Sequence, residues 1–105
     1  LGLHGPSMAI DTACSSSLSA LHVAMESLAA GSCDVALVGG VNVIARPVHM
    51  QGLCATLMLS QSPVCRSFGD GADGTVVGEG VGAVLLRPLE DAVADGDHVY
   101  ALILG

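Results

Sequence analysis

Between Met8 and Val38 the hydrophobic pattern changes period twice, and this constrains the fold more than any other feature of the chain. Met8-Ala-Ile10 is a short apolar run behind Gly5-Pro-Ser7 and reads as the end of a buried strand. Asp11-Thr-Ala13 turns the chain. From Cys14 or Ser15 to Ala30 the period becomes helical, with Leu18, Leu21, Met25 and Leu28 three and four residues apart. The spacing predicts a helix with Ser15, Ser16 and Ser17 supplying N-cap oxygens that accept from its first N–H groups and Gly31 as the C′ residue. Val35-Ala-Leu-Val38 is again a continuous apolar run, the pattern of a strand buried on both faces. Strand, helix and strand in this order make a βαβ unit and favour a parallel sheet.

The remainder extends an α/β reading. Pro47 to Leu59 reads as a short helix and loop, and Ser60 to Thr75, rich in Gly, Ser and Asp, as loop. Val81 to Leu86 is a second Val-rich strand. Leu89 to Ala94 is a short helix ended by Asp95-Gly96, and Val99 to Leu104 reads as a further strand. Linkers, low-complexity tracts and repeats are not evident.

Composition says what this chain does not do. Its 105 residues are 51% hydrophobic but only 12% charged, where about 25% charged is usual for a globular domain. Much of its surface is therefore expected to be covered by further chain. The start at Leu1 and the late strand at Val99 point the same way, to a piece, residues 1–105, truncated at both ends. The net charge is −7, with three arginines and no lysine. Phosphate neutralisation is excluded, and with it nucleic acid as a partner; anionic membrane surfaces are excluded on the same ground. The uncharged run Leu53 to Val64 is too short and polar to span a bilayer. Cys14, Cys33, Cys54 and Cys65 form no CxxC pair and have no His at zinc-ligand spacing, so neither a metal nor a disulfide framework is expected. The expected location is cytoplasmic.

Cys14 is the candidate nucleophile. It sits where a strand turns sharply into a helix, beside the first unbonded N–H groups and the positive end of the helix dipole. Such groups favour a thiolate and can face an oxyanion on an acyl group carried by sulfur. Ala13 and the three serines leave room for an acyl chain. Placement alone leaves a structural cysteine as the commoner explanation, which is also the reading for Cys33, Cys54 and Cys65.

Asp11-Thr-Ala-Cys-Ser-Ser-Ser17 resembles the active-site motif of β-ketoacyl synthases in the form used by modular polyketide synthases. Gly5-Pro-Ser7, Leu37-Val-Gly-Gly-Val-Asn42, Cys65-Arg-Ser-Phe68, Ala72-Asp-Gly74 and Gly78-Glu-Gly-Val-Gly82 follow in the family's order. His4-Gly-Pro-Ser-Met-Ala-Ile10 and Phe68-Gly-Asp-Gly71 look most similar to synthases served by a separate acyltransferase. The resemblance implies a thiolase-like fold, layered α/β/α and dimeric, of which this is the central part. It implies decarboxylative Claisen condensation in polyketide or fatty acid biosynthesis. Cys14 would accept an acyl chain from an acyl carrier protein, and a carbanion from malonyl on a second carrier would attack the thioester. No cofactor is implied. The two catalytic histidines of the family lie in downstream motifs that are not in this chain; His4, His22, His49 and His98 do not match them. An isolated piece of this kind is expected to be inactive. Ser60-Gln-Ser-Pro-Val-Cys65 departs from the family's usual turn, which puts the local loop shape in doubt.

Other motifs have blander explanations. Gly78-Glu-Gly-Val-Gly-Ala83 fits a dinucleotide fingerprint but leads into a strand that stops at Pro88, not a helix. The aspartates at 70, 73, 91, 95 and 97 lack calcium-loop spacing and read as turn residues. Glu79, between glycines, calls for a cationic or hydrogen-bonding partner and could support the active site. The rival function is a non-elongating ketosynthase that only transfers acyl chains, or a dimerisation or interaction module. A papain-type hydrolase lacks its Cys signature.

Overall fold

The computed structural model describes residues 2–104, which form two units: one from residues up to Gly40 and from Gly82 onward, the other Val41–Val81. The first unit holds the helix that the apolar stripe demands. Here α1 spans Ser16–Ala29, preceded by a single 3-10 turn over Ala13–Ser15. Its end is set by Gly31, at φ +67°. Gly31 N–H donates to Leu28 C=O at 3.0 Å and Ser32 N–H to Ser27 C=O at 2.9 Å, a Schellman closure that needs the left-handed backbone glycine supplies. The serine cap is a correction. Ser15 occupies the N-cap position but makes no side-chain cap bond; its hydroxyl and that of Ser16 donate backwards, to the carbonyls of Thr12 and Ala13.

Strand β1 runs Ala36–Asn42, four residues past the apolar run that announced it. Gly39 and Gly40 continue the strand because their missing side chains allow close approach. A Cβ on Gly40 would stand 3.3 Å from Ser17 Cβ, and one on Gly39 3.4 Å from Gly82 C=O. Strand β2, Gly80–Leu86, pairs with β1 in an antiparallel two-stranded sheet. The parallel pairing favoured by the βαβ pattern is not found among the described residues, because Met8–Ile10 makes no ladder with β1. Val99–Leu104 is likewise outside any ladder. A strand exists only by sharing its N–H and C=O groups with a neighbour, and neither segment has one here.

After Pro88, α3 covers Leu89–Asp95 with Glu90 and Asp91 in its first turn, where acidic groups meet the positive end of the helix dipole. Gly96, at φ +73°, ends it: Asp97 N–H reaches Ala92 C=O at 2.8 Å. Arg87 clasps this corner, with Nη2 on Asp95 at 2.7 Å and Nη1 on Asp97 at 2.5 Å, and the two carboxylates raise its pKa.

In the second unit α2 spans Pro47–Ala55, with Pro47 in the first turn, where its missing N–H costs nothing. The segment beyond it is fastened by polar contacts. Thr75 N–H donates to Met58 C=O and Ser60 N–H to Thr75 C=O, both at 2.9 Å. Gly74, at φ +146°, allows this. A Cβ there would lie 2.6 Å from both Leu59 C and Ser60 N. Asp73 completes the tie by accepting from Ser60 Oγ at 2.6 Å and Gln61 N–H at 3.1 Å, which hold its carboxyl below the usual carboxylate range.

Burial is sparse, against the expectation of strands buried on both faces. Among the described hydrophobic residues only Val38 in β1 and Ala92 in α3 are buried. The accessible surface is 8360 Å², against about 5,400 Å² for a self-contained monomer of this mass by the usual scaling. Leu37, Val41, Val81, Val84 and Leu85 of the strands are all exposed. Seen physically, the sheet lacks covering layers. This agrees with the low charge: a chain that solvated these faces by itself would carry more Lys, Asp and Glu there.

Candidate active site

The segment that carries Cys14 is a strained elbow. Thr12 has φ −127° and ψ 35°, and Ala13 swings to φ +56° before the 3-10 turn begins. A non-glycine residue in the left-handed region costs about 1–2 kcal/mol, so the surrounding contacts must hold it there. They are all local. Asp11 Oδ1 accepts from Ala13 N–H at 2.9 Å, closing an Asx turn. Ser16 Oγ donates to Ala13 C=O at 2.7 Å and accepts from Thr12 N–H at 2.9 Å. Ser15 Oγ donates to Thr12 C=O at 2.9 Å. Thr12 Oγ1 lies 2.8 Å from both Ser15 Oγ and Ser19 Oγ.

These contacts engage Asp11, Thr12, Ser15, Ser16 and Ser19 with one another. Cys14, at the centre of the turn, is a free thiol and exposed. The sharp turn into the helix expected from the sequence is therefore present, with the left-handed residue immediately before the cysteine, but the segment that leads into it forms no strand. Gly40 brings β1 against the same first turn of α1, at Ser17. Larger residues on either side would push the helix start outward.

The other residues singled out from the sequence fall elsewhere. Cys33, Cys54 and Cys65 are free thiols, Cys33 half-buried and the other two exposed. The Ser67 hydroxyl beside Cys65, 3.6 Å away, lowers its thiol pKa. Glu79 has the hydrogen-bonded partner its position demanded: its carboxylate accepts from Ile44 N–H at 2.5 Å, next to Asn42 Nδ2 donating to Gly78 C=O at 2.6 Å. That contact fastens the end of β1 and assigns Glu79 no chemistry. Gly80 to Leu86 forms a strand, as expected of a chain that only mimics a dinucleotide fingerprint. His98 stacks edge-on against Tyr100, with ring centres 4.5 Å apart. Among the described residues no group of three or more His, Cys, Asp or Glu could hold a metal ion, and no helix is long and apolar enough to cross a membrane. Sequence reading passes over Thr12. Its signal is the serine spacing: Ser15, Ser16 and Ser19 lie three, four and seven residues beyond it, on one helical face.

Comparison with known proteins agrees with the motif. Residues 1–92 match the family described as Beta-ketoacyl synthase, N-terminal domain. The chain belongs to the β-ketoacyl synthase family. Within it, the chain is similar to the ketosynthase domains of polyketide synthases. It is 59% identical over 103 residues to the polyketide synthase PksM of Bacillus subtilis, covering 98% of this chain and 2% of that protein. Against the polyketide synthase ThaG of Burkholderia thailandensis it is 52% identical over 103 residues, again 98% of this chain and 2% of that one. Among solved structures it overlays the oxazolomycin ketosynthase domain OzmH KS7 of Streptomyces albus with a TM-score of 0.85 and 52% identity, over 90% of this chain and 17% of that one. The ketosynthase from module 1 of the bacillaene synthase of Bacillus amyloliquefaciens gives a TM-score of 0.86 and 44% identity, over 99% of this chain and 18% of that one. The α/β, thiolase-like architecture is thus borne out. The chain spans a small fraction of the length of each of these proteins.

Proposed function

We propose that this chain supplies the acyl-accepting thiol of a polyketide-type ketosynthase, and that Cys14 is that thiol. The carrying observation is the elbow: an exposed Cys14 directly follows left-handed Ala13 at the start of a helical turn, while the neighbouring hydroxyls satisfy one another. Kinship with polyketide ketosynthases supports the same reading.

The chemistry follows from a thiolate at such a position. Cys14 Sγ attacks the thioester carbonyl of an acyl chain on a carrier protein's phosphopantetheine arm. The carrier's C–S bond breaks, its thiol leaves, and an acyl–Cys14 thioester remains. An N–H group that the helix start leaves unbonded would be available to an oxyanion on that carbonyl; Ser16 N–H is not one of them, because it donates to Ala13 C=O. A malonyl group on a carrier then loses carbon dioxide. The electron pair of the broken C–C bond attacks the acyl carbon, and Cys14 leaves as thiolate. The product is a β-ketoacyl chain on the carrier. The acid–base groups this step needs are not supplied by His4, His22, His49 or His98, which do not match the family's histidine motifs. They belong to the rest of a ketosynthase domain. That domain would also cover the exposed strand faces, work as a homodimer and reside in the cytoplasm, with acyl carrier protein as its partner.

The test is intact-mass measurement on the protein carrying this chain after incubation with an acyl-loaded carrier protein. A stoichiometric acyl adduct is expected on the wild type and none on Cys14→Ala. An equal adduct on both proteins would refute the assignment. Acylation without any β-ketoacyl product after malonyl carrier is added would favour a transfer-only ketosynthase.

A further inference from the structure

Thr12 is the hub of the elbow. It makes four hydrogen bonds to the 3-10 turn and the start of α1, through its N–H, its C=O and, twice, its hydroxyl. One assignment of protons satisfies all of these contacts at once. Ser15 has one hydroxyl proton and donates it to Thr12 C=O, so between the two hydroxyls Thr12 must donate and Ser15 accept. Thr12 has then used its only proton, so Ser19 donates to Thr12. The chain Ser19 to Thr12 to Ser15 to Thr12 C=O leaves no member without a partner.

Ala13 is held on both sides by this arrangement. Its N–H is on Asp11, its C=O accepts from Ser16 Oγ, and the peptide before it is anchored by Thr12. Relaxation of Ala13 out of the left-handed region would rotate the peptide that leads into Cys14 and redirect its Cα–Cβ bond. We propose that Thr12 is a positioning residue for Cys14, acting through its hydroxyl and not its bulk. The inference rests on the reading of Cys14 as the acyl acceptor. Its test separates the two.

The measurements use the complete protein. Two rates are followed by mass spectrometry at Cys14: acylation by a short acyl-pantetheine thioester, and alkylation by iodoacetamide, which needs no acyl-transfer activity. Thr12→Val keeps the shape and removes the hydroxyl; it is expected to slow acylation about tenfold, equivalent to about 1.4 kcal/mol, and to slow alkylation as well. Thr12→Ser restores the hydroxyl and is expected within about threefold of wild type, since a single hydrogen-bonding group is retained. Adding Ala13→Gly to Thr12→Val should recover much of the rate, because glycine occupies positive φ freely. A bulk-filling role for Thr12 predicts no such rescue. Should Thr12→Val fail to fold, Ser19→Ala removes only the donor to Thr12 and is expected to slow acylation about twofold to threefold. Thr12→Val within twofold of wild type in both rates, or Thr12→Ser as slow as Thr12→Val, overturns the proposal. If the wild type is never acylated yet Thr12→Val slows alkylation, the acyl-acceptor reading falls and the positioning role stands.

Discussion

Two segments of this chain are held by polar groups instead of a core, and they are held in different ways. The elbow around Cys14 closes every bond within seven residues of sequence: Thr12 with Ser15, Ser16 and Ser19, and Ala13 with Asp11. The segment after α2 closes across twelve to seventeen residues: Gln61 and Ser60 with Asp73, and Met58 with Thr75. Local closure needs little beyond a helix to start on. Long closure must first bring distant chain together and so carries a larger loop-closure entropy. The elbow should therefore keep its form under stress that opens the second segment, and each region has one position where this can be put to trial.

The largest effect is expected at Gly74. Gly74→Ala would drive a Cβ to 2.6 Å from the backbone of Leu59 and Ser60, at a φ of +146° that residues with side chains rarely adopt. Backbone cannot yield as a side-chain end can, and the cost should be about 3 kcal/mol or more. Limited proteolysis between residues 57 and 76 would read it as new cleavage, with the α1 region of the protein unchanged. Equal loss of protection in α1 would mean that the two segments do not melt separately.

A smaller effect should follow acidification. Asp73 titrates lower in the folded chain than unfolded, chiefly through Ser60 and then Gln61. Its contribution is complete above the ordinary carboxylate range and fades as pH falls through the lowered folded value. Protection of the Gln61 and Thr75 amides against hydrogen exchange, relative to the free-chain rate at each pH, should fall in that window, while the amides of α1 hold; Asp73→Asn should show the lower protection already at neutral pH. Unchanged protection at Gln61 across that range would remove Asp73 from the comparison.

The smallest effect belongs to Ala13→Gly. It relieves a left-handed alanine but gives the unfolded chain more freedom, and the two should nearly cancel to within about 0.5 kcal/mol. A thermal melt of the protein carrying this chain checks it. A large destabilisation would show that Ala13 does more than bend the backbone.

The same division explains what could be read in advance. The apolar spacing of Leu18, Leu21, Met25 and Leu28 defines α1, and Gly31 defines its end, because both act within a turn or two. Cys14 at the turn was legible for the same reason. Glu79 demanded a hydrogen-bond partner, but its finding one in Ile44, 35 residues back, was not legible. Nor was the tie of Asp73 to Ser60: a turn aspartate looks alike whether it faces water or a distant hydroxyl. That β1 runs on through Gly39 and Gly40 was not legible either, because Ser17, the neighbour that crowds Gly40, lies far off in sequence. The serines were assigned the right place but the wrong direction of donation, since a hydroxyl can serve an N–H ahead or a C=O behind equally well.

Gly74 has a consequence at the level of the gene. Every amino-acid-changing single-base substitution of a glycine codon encodes a residue with a Cβ. At this position each of those residues meets the backbone of Leu59 and Ser60 at 2.6 Å. The first two bases of the codon are therefore locked by a steric contact alone, and only the third is free to drift. A saturation library of this chain, selected for folding, should return that codon almost entirely as synonymous variants.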